Sequence, residues 1–295
     1  MFIKPKKINL DIFNHLNVSQ STIKHYQELT SYFLKFIEEN NYRFQQPLLL
    51  KYKEYLKSAQ LKPNTRRSYF NVARLFCQLL YASKLTKTDL TKDRLGRNIA
   101  GFQISKDHVY GIDQSGVNAI IQYINQLPPS FINHRLKIIV FLLLYQGLRQ
   151  VEIFRLNVED IDFDNNQLRI TGKGRDYNEI INLHPKTAKA LKQYCKYLNH
   201  KGALIVHCHN KTNRLASPLA IHYIVKSVLK KLDIQSSVHG FRHYFATQLI
   251  EYYRGDLTIV SMYTRHKNIN TLQIYNDKIL SQKDLKNYYA AVNRF

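Results

Sequence analysis

Four short clusters in the second half of the chain carry the side chains needed to grip an anion. The first is Gly147-Leu148-Arg149-Gln150-Val151-Glu152, directly after the most apolar stretch of the sequence. A guanidinium beside such a segment needs a counter-charge, because an unpaired buried charge is expensive. Glu152, three residues on, is one possible partner, and a bound anion is another. The second is Lys173 within Thr171-Gly172-Lys173-Gly174-Arg175. Its glycines let a turn approach a ligand closely, and the lysine swings on a long stem. An ordinary basic hairpin has the same composition. The third is His239-Gly240-Phe241-Arg242-His243. Residues three apart share a helical face, so His239 and Arg242 can point at one place, and a helix start itself favours an anion. Histidines that merely cap a helix look alike. The fourth pairs His266 with Tyr275; with 21 tyrosines in the chain, neither residue stands out alone.

These clusters need a scaffold. A strongly apolar helix is predicted from His134 to Gly147, after another from about Asp113. Asp162 to Ile170 reads as strand, turn, strand, and Gly172-Lys173-Gly174 as a second tight turn before a strand over Glu179–Leu183. The remainder reads as helix. The first hundred residues read as helices throughout. Ser21 is the expected cap of a helix carrying Ile23, Tyr26, Leu29, Phe33, Phe36 and Ile37 at three- and four-residue steps. Pro47 opens a second, with Leu50, Tyr55 and Leu56 as core positions. Pro63 introduces a third, with Tyr69, Val72, Ala73, Phe76, Leu79 and Leu80 inward. Arg66, Arg67 and Arg74 lie mostly off that stripe, where they could meet phosphate. Weak periodicity and three glycines between Thr91 and Asp113 suggest a linker. The expected architecture is mainly α with a small antiparallel β-sheet: a helical domain over 1–100, a linker over 101–112 and a mixed domain over 113–295.

Composition narrows the function classes. At 295 residues, with 44% hydrophobic and 22% charged side chains, the chain can build real cores and is not a disordered tract. Its longest apolar run, Ile138–Tyr145, is far too short to span a bilayer. The N-terminus lacks an apolar signal-peptide core, and three scattered cysteines make no disulfide framework. The expectation is a soluble, cytoplasmic protein without a membrane partner. The net charge of +23 is the functional clue. Residues 1–100 hold 18 basic and 7 acidic side chains, so both halves share the excess. Two basic domains suit a polyanion held from two sides, since each neutralised phosphate releases counterions. A lysine-rich, solvated surface would give the same count.

Taken in order, Arg-x-x-Glu, a hairpin Lys, His-x-x-Arg, His and Tyr resemble the tyrosine recombinase or phage integrase family. Gly147 through Asp162 is similar to that family's first arginine box, His239 through Gln248 to its second, and Asn270 through Tyr275 to its nucleophile box. Leu61-Lys62-Pro63-Asn64-Thr65 resembles the entry to a long helix of its N-terminal DNA-clamping domain. The likeness covers almost the whole chain. It implies that Tyr275 attacks a scissile phosphate of duplex DNA and keeps the 3′-phosphoryl end as an ester, so religation needs no ATP. It further implies that Arg149 and Arg242 clamp the non-bridging oxygens, Lys173 is the general acid at the 5′-oxygen, and His239 assists proton transfer. His266 would hydrogen-bond the phosphate, and Glu152 would position the site. Two arginines and a lysine supply the positive charge a metal would otherwise bring, so neither a metal nor another cofactor is implied. Arg175 joins Arg66, Arg67 and Arg74 as an expected DNA contact. By the same resemblance, four protomers assemble on DNA and exchange strands through a four-way junction, and the tail after Tyr275 docks into a neighbouring subunit. With little room before the clamp for an arm-site domain, a simple recombinase of the Xer or transposon type fits best. A type IB topoisomerase-like enzyme and a catalytically silent DNA-binding relative are the other classes with overlapping machinery.

Two features depart from the family pattern. Arg265 stands before the later histidine, where a glycine is usual, and the interval from Arg242 to His266 is slightly longer, near Tyr252-Tyr253-Arg254-Gly255. Both bear on the angle of the His266 side chain. His207-Cys208-His209, with Cys195 and His200 upstream, invites a metal reading, but no spaced second pair follows, and chance clustering explains it better.

Overall fold

The computed structural model describes residues 9–103, 111–172, 178–209, 211–266 and 268–273. The chain divides into two compact units, Met1–Asp107 and His108–Phe295.

The first unit is built on three helices, α1 (Gln20–Glu39), α2 (Leu48–Ser58) and α3 (Pro63–Ala82). The α1 cap is Ser19, not Ser21: the Ser19 hydroxyl accepts from the Thr22 N–H at 3.3 Å, because the helix starts two residues earlier than the apolar stripe suggests. Ile23, Leu29, Phe33, Phe36 and Ile37 are buried as expected, with Tyr26 at the margin. In α2 the inward stripe is Leu48, Leu49, Tyr52 and Leu56; Leu50 is half-buried and Tyr55 is 47% exposed. Stepping back from Leu56 by four places Tyr52 and Leu48 on one face and leaves Leu50 and Tyr55 on its flanks. Pro63 occupies the first turn of α3, where its missing N–H costs nothing. That helix buries Phe70, Val72, Ala73, Phe76, Cys77 and Leu80, with Tyr69 and Leu79 at the edge.

The second unit surrounds α5 (Phe131–Tyr145), whose residues Ile138–Leu144 are all buried. Around it pack α4 (Gln114–Gln126), the short α6 (Gln150–Arg155), α7 (Pro185–Cys195), α8 (Pro218–Lys231) and α9 (Val238–Tyr252). A helix apolar on every side is stable only when covered in this way. Among the described residues one antiparallel sheet is present, in the order β1 (Ile161–Asp162), β2 (Gln167–Thr171), β3 (Asn178–Asn182). Leu168 and Ile170 alternate inward from β2, and the β2–β3 ladder runs out to the pair Thr171–Asn178. A smaller core lies beside the main one, where Ala246 and Ile250 of α9 meet Val260 of α10 (Leu257–Thr264) and Leu272. The fold is therefore mainly helical with a small antiparallel sheet. The stretch His207–His209 forms no strand; Val206 makes only an isolated bridge to Arg214. The His200 ring engages the Ala203 carbonyl, and Cys195 and Cys208 pack on the core. No helix among the described residues is long and apolar enough to cross a membrane.

Candidate active site

The chain leaves α5 through a tight turn. Gly147 holds φ +56°, a conformation that costs a glycine nothing, and the Leu148 N–H returns to the Leu142 carbonyl at 3.1 Å. A Cβ at Gly147 would meet the Phe245 ring at 2.3 Å. The turn delivers Arg149 to the start of α6, where Glu152 holds it twice. The Arg149 backbone N–H donates to Glu152 Oε2 at 2.7 Å, and Arg149 Nη1 donates to Oε1 at 2.8 Å. The internal ion pair open to this arginine is thus formed, but it does not use the guanidinium up. The Glu152 side chain is 1% exposed while that of Arg149 remains 31% exposed. Burial by itself would raise the Glu152 carboxyl, but the Arg265 charge, the Arg149 N–H and the Arg149 charge together hold it below its ordinary value.

Arg242, on the second turn of α9, is 2% exposed. Its Nη1 donates to the Gly147 carbonyl and its Nη2 to the Thr264 carbonyl. One buried side chain therefore ties the turn before Arg149 to the end of α10. His239 lies one turn earlier on the same helix. Its side chain is exposed, yet loss of water at the ring, then the Arg242 and Arg149 charges, push its pKa down.

His266 follows the C-terminus of α10. The helix is closed by Arg265 in the left-handed region, at φ +56° and ψ +44°. This turn lets the His266 N–H reach the Ser261 carbonyl at 3.2 Å and sets Nδ1 2.6 Å from Thr264 Oγ1. The Thr264 hydroxyl also lies 2.8 Å from the Val260 carbonyl. It has one proton: given to Val260, it leaves Oγ1 to accept from Nδ1–H; given to Nδ1, it leaves Nε2–H to donate outward. Burial, then Arg242, Arg149, Arg265 and His239, lower the His266 pKa to about 4, so the ring is neutral at pH 7.

Arg149, Glu152, His239, Arg242 and His266 are thereby brought into one electrostatic neighbourhood. Lys173, Arg175 and Tyr275 lie outside the described residues. Their flanks are visible: Arg155 Nη1 donates to the Gly172 carbonyl at 3.3 Å, and Leu272 is fully buried. Arg66, Arg67 and Arg74 belong to α3 of the first unit, all half-buried, and Arg66 Nε folds back onto the Leu61 carbonyl at 3.1 Å. The residue the motifs missed is Arg265. Its Nη2 donates to Glu152 Oε2 at 3.0 Å, and its side chain is 7% exposed. Its replacement of the usual glycine was the only signal.

Arginines and imidazoles gathered around two helix starts and one helix end can hold a phosphate. Residues 111–280 match the phage integrase family and residues 10–94 the phage integrase SAM-like domain. The chain belongs to the phage integrase family. Among similar proteins, the tyrosine recombinase XerA of Pyrococcus horikoshii is 31% identical over 146 residues, 48% of this chain and 50% of that protein. Over that alignment the chain spans about half the length of its relative. The tyrosine recombinase XerD of Vibrio cholerae is 24% identical over 268 residues, 88% of this chain and 86% of that one. Two solved structures share the fold. The XerH site-specific recombinase bound to its difH substrate in a pre-cleavage complex has a TM-score of 0.68 and 19% identity, over 94% of this chain and 80% of that one. The Tn1549 transposon integrase in complex with a circular intermediate DNA has a TM-score of 0.72 and 13% identity, over 97% of both chains.

Proposed function

We propose that the chain is a tyrosine site-specific recombinase that cleaves and rejoins duplex DNA through a 3′-phosphotyrosyl intermediate at Tyr275. The observation that carries this reading is the convergence of Arg149 and Arg242 with His239 and His266, all set by the same two helix starts and one helix end. The names of the XerA and XerD relatives support it, as do the DNA-bound structures of the XerH recombinase and the Tn1549 integrase.

In this reading the phenolic oxygen of Tyr275 attacks the scissile phosphorus while the bond to the 5′-oxygen breaks. Arg149 and Arg242 neutralise the charge that gathers on the non-bridging oxygens, and their guanidinium forks match phosphate geometry. Lys173 gives its proton to the departing 5′-oxygen, His239 assists transfer of the tyrosine proton, and His266 donates from Nε2 to the phosphate. The phosphotyrosyl ester keeps the energy of the broken bond, so a 5′-hydroxyl reverses the step without ATP. The charge supplied by two arginines and a lysine serves where a metal otherwise would. Residues 1–100 form a second DNA-binding unit, with Arg66, Arg67 and Arg74 meeting the duplex backbone, and Arg175 adds a further contact. Four protomers then exchange strands through a four-way junction, linked by the tail that follows Tyr275.

The test is a nicked suicide substrate drawn from DNA flanking the gene, with wild type and Tyr275→Phe compared on a denaturing gel. A covalent adduct in wild type alone is the expected result. Adducts in both would reassign the nucleophile, and specific binding without an adduct in either would overturn the catalytic reading.

A further inference from the structure

Arg265 stands where the backbone gives every reason for a glycine. Its φ of +56° lies in the left-handed region, which a side chain enters only at a cost. The side chain nevertheless runs inward, 7% exposed, and lands on the carboxylate that holds Arg149. Glu152 Oε1 takes the Arg149 guanidinium at 2.8 Å, while Oε2 takes both the Arg149 backbone N–H at 2.7 Å and Arg265 Nη2 at 3.0 Å. Arg265 is braced from its other side by Glu179 on β3, whose Oε2 lies 3.7 Å from Nε, an ion-pair contact longer than a hydrogen bond. Arg265 is thus the second partner of Glu152 Oε2. Without it, Oε2 keeps only the backbone N–H.

We propose that Arg265 is a positioning residue: through Glu152 it fixes the Arg149 guanidinium at the place where the scissile phosphate binds. The proposal rests on the reading of Arg149 as a phosphate clamp. Arg265 itself does not touch the phosphate; it acts on the orientation of a group that does. The chain thereby replaces a permissive helix end with one that reports on, and holds, the start of α6.

The experiment uses the full chain and two suicide substrates, one with the native phosphate and one with a neutral methylphosphonate at the scissile position. A neutral centre has no full negative charge to clamp, so it tolerates a misplaced Arg149. Arg265→Gly suits the left-handed backbone and keeps the protein folded, which a melting curve checks. Adduct formation by Arg265→Gly should slow on the order of tenfold or more on the phosphate, as expected for a small misplacement of a clamping group. On the methylphosphonate it should match wild type. Arg265→Lys, which restores a cation within reach of Glu152, should recover part of the phosphate rate, and Arg149→Ala should show the same substrate selectivity more strongly. Equal rates for Arg265→Gly and wild type on both substrates would overturn the proposal. So would an equal slowing on both, the mark of a residue that only supports the fold. If wild type forms no adduct on phosphate, or Arg149→Ala loses both substrates equally, the clamp reading fails first and this proposal with it.

Discussion

Arg149 and Arg242 approach the same neighbourhood by opposite means. Arg242 is sunk in the protein with carbonyl partners on two elements, whereas Arg149 keeps a partly exposed side chain on a buried carboxylate. Arg242→Ala should therefore cost roughly 3 kcal/mol of folding stability, since it strands the Gly147 and Thr264 carbonyls. Arg149→Ala should cost about 1 kcal/mol or less, because the Glu152 carboxylate keeps Arg265 and a backbone N–H. Both should slow adduct formation by about a hundredfold or more. Denaturant unfolding beside suicide-substrate cleavage separates the two effects. The histidines yield a second expectation. In the free site His266 is held near 4 and His239 below its ordinary value of 6.5, so both are mostly neutral at pH 7. A phosphate brought among them adds negative charge and raises both. The complex then binds more protons than the free protein, and affinity rises as pH falls from 7 towards 5. Calorimetry in buffers of different ionisation heat should record proton uptake on DNA binding, reduced in His266→Gln. No uptake would mean that the imidazoles do not face the phosphate.

At the scale of elements, the turn from α5 to α6 sets the separation of the two arginines. Gly147→Ala forces a side chain into the left-handed region and into the Phe245 ring, which should cost roughly 1–3 kcal/mol or more. Because the Gly147 carbonyl accepts from Arg242, cleavage should fall further than the stability loss explains; melting and single-turnover rates on one preparation compare the two. Much of this scaffold was legible in sequence. The α1 stripe, the unbroken apolar run of α5 and the Asp- and Asn-rich turn between β1 and β2 each carry a signal that local physics enforces. The phase of α2 was not, because a helix with apolar residues at Leu48, Leu49, Leu50, Tyr52, Tyr55 and Leu56 has several possible inward faces, and only its neighbours choose one. Arg265 was visible as an oddity and illegible as a site residue, since its partners Glu152 and Glu179 are brought to it by tertiary structure alone.

For the whole molecule, the net charge of +23, shared by both halves, predicts steep salt dependence. DNA affinity should fall linearly on a log–log plot, with a slope of about −0.9 for each phosphate contact. Replacing Arg67 or Arg74 by Glu should weaken binding across sequences and reduce that slope by about one, while leaving the cleavage rate of the bound protein unchanged. An unaltered slope would remove α3 from the DNA-binding surface. The cores of the second unit carry a last consequence. Arg149 and Arg242 stand on elements around α5, whereas Leu272, three residues before Tyr275, is seated in the small core of Ala246, Ile250 and Val260. On the proposed reading of Tyr275 as nucleophile, its approach depends on the seating of Leu272 in that small core. Arg242 reaches the Thr264 carbonyl at the end of the same α10, so a change at the α9–α10 corner should act on the phosphate contacts and on the approach of Tyr275 together.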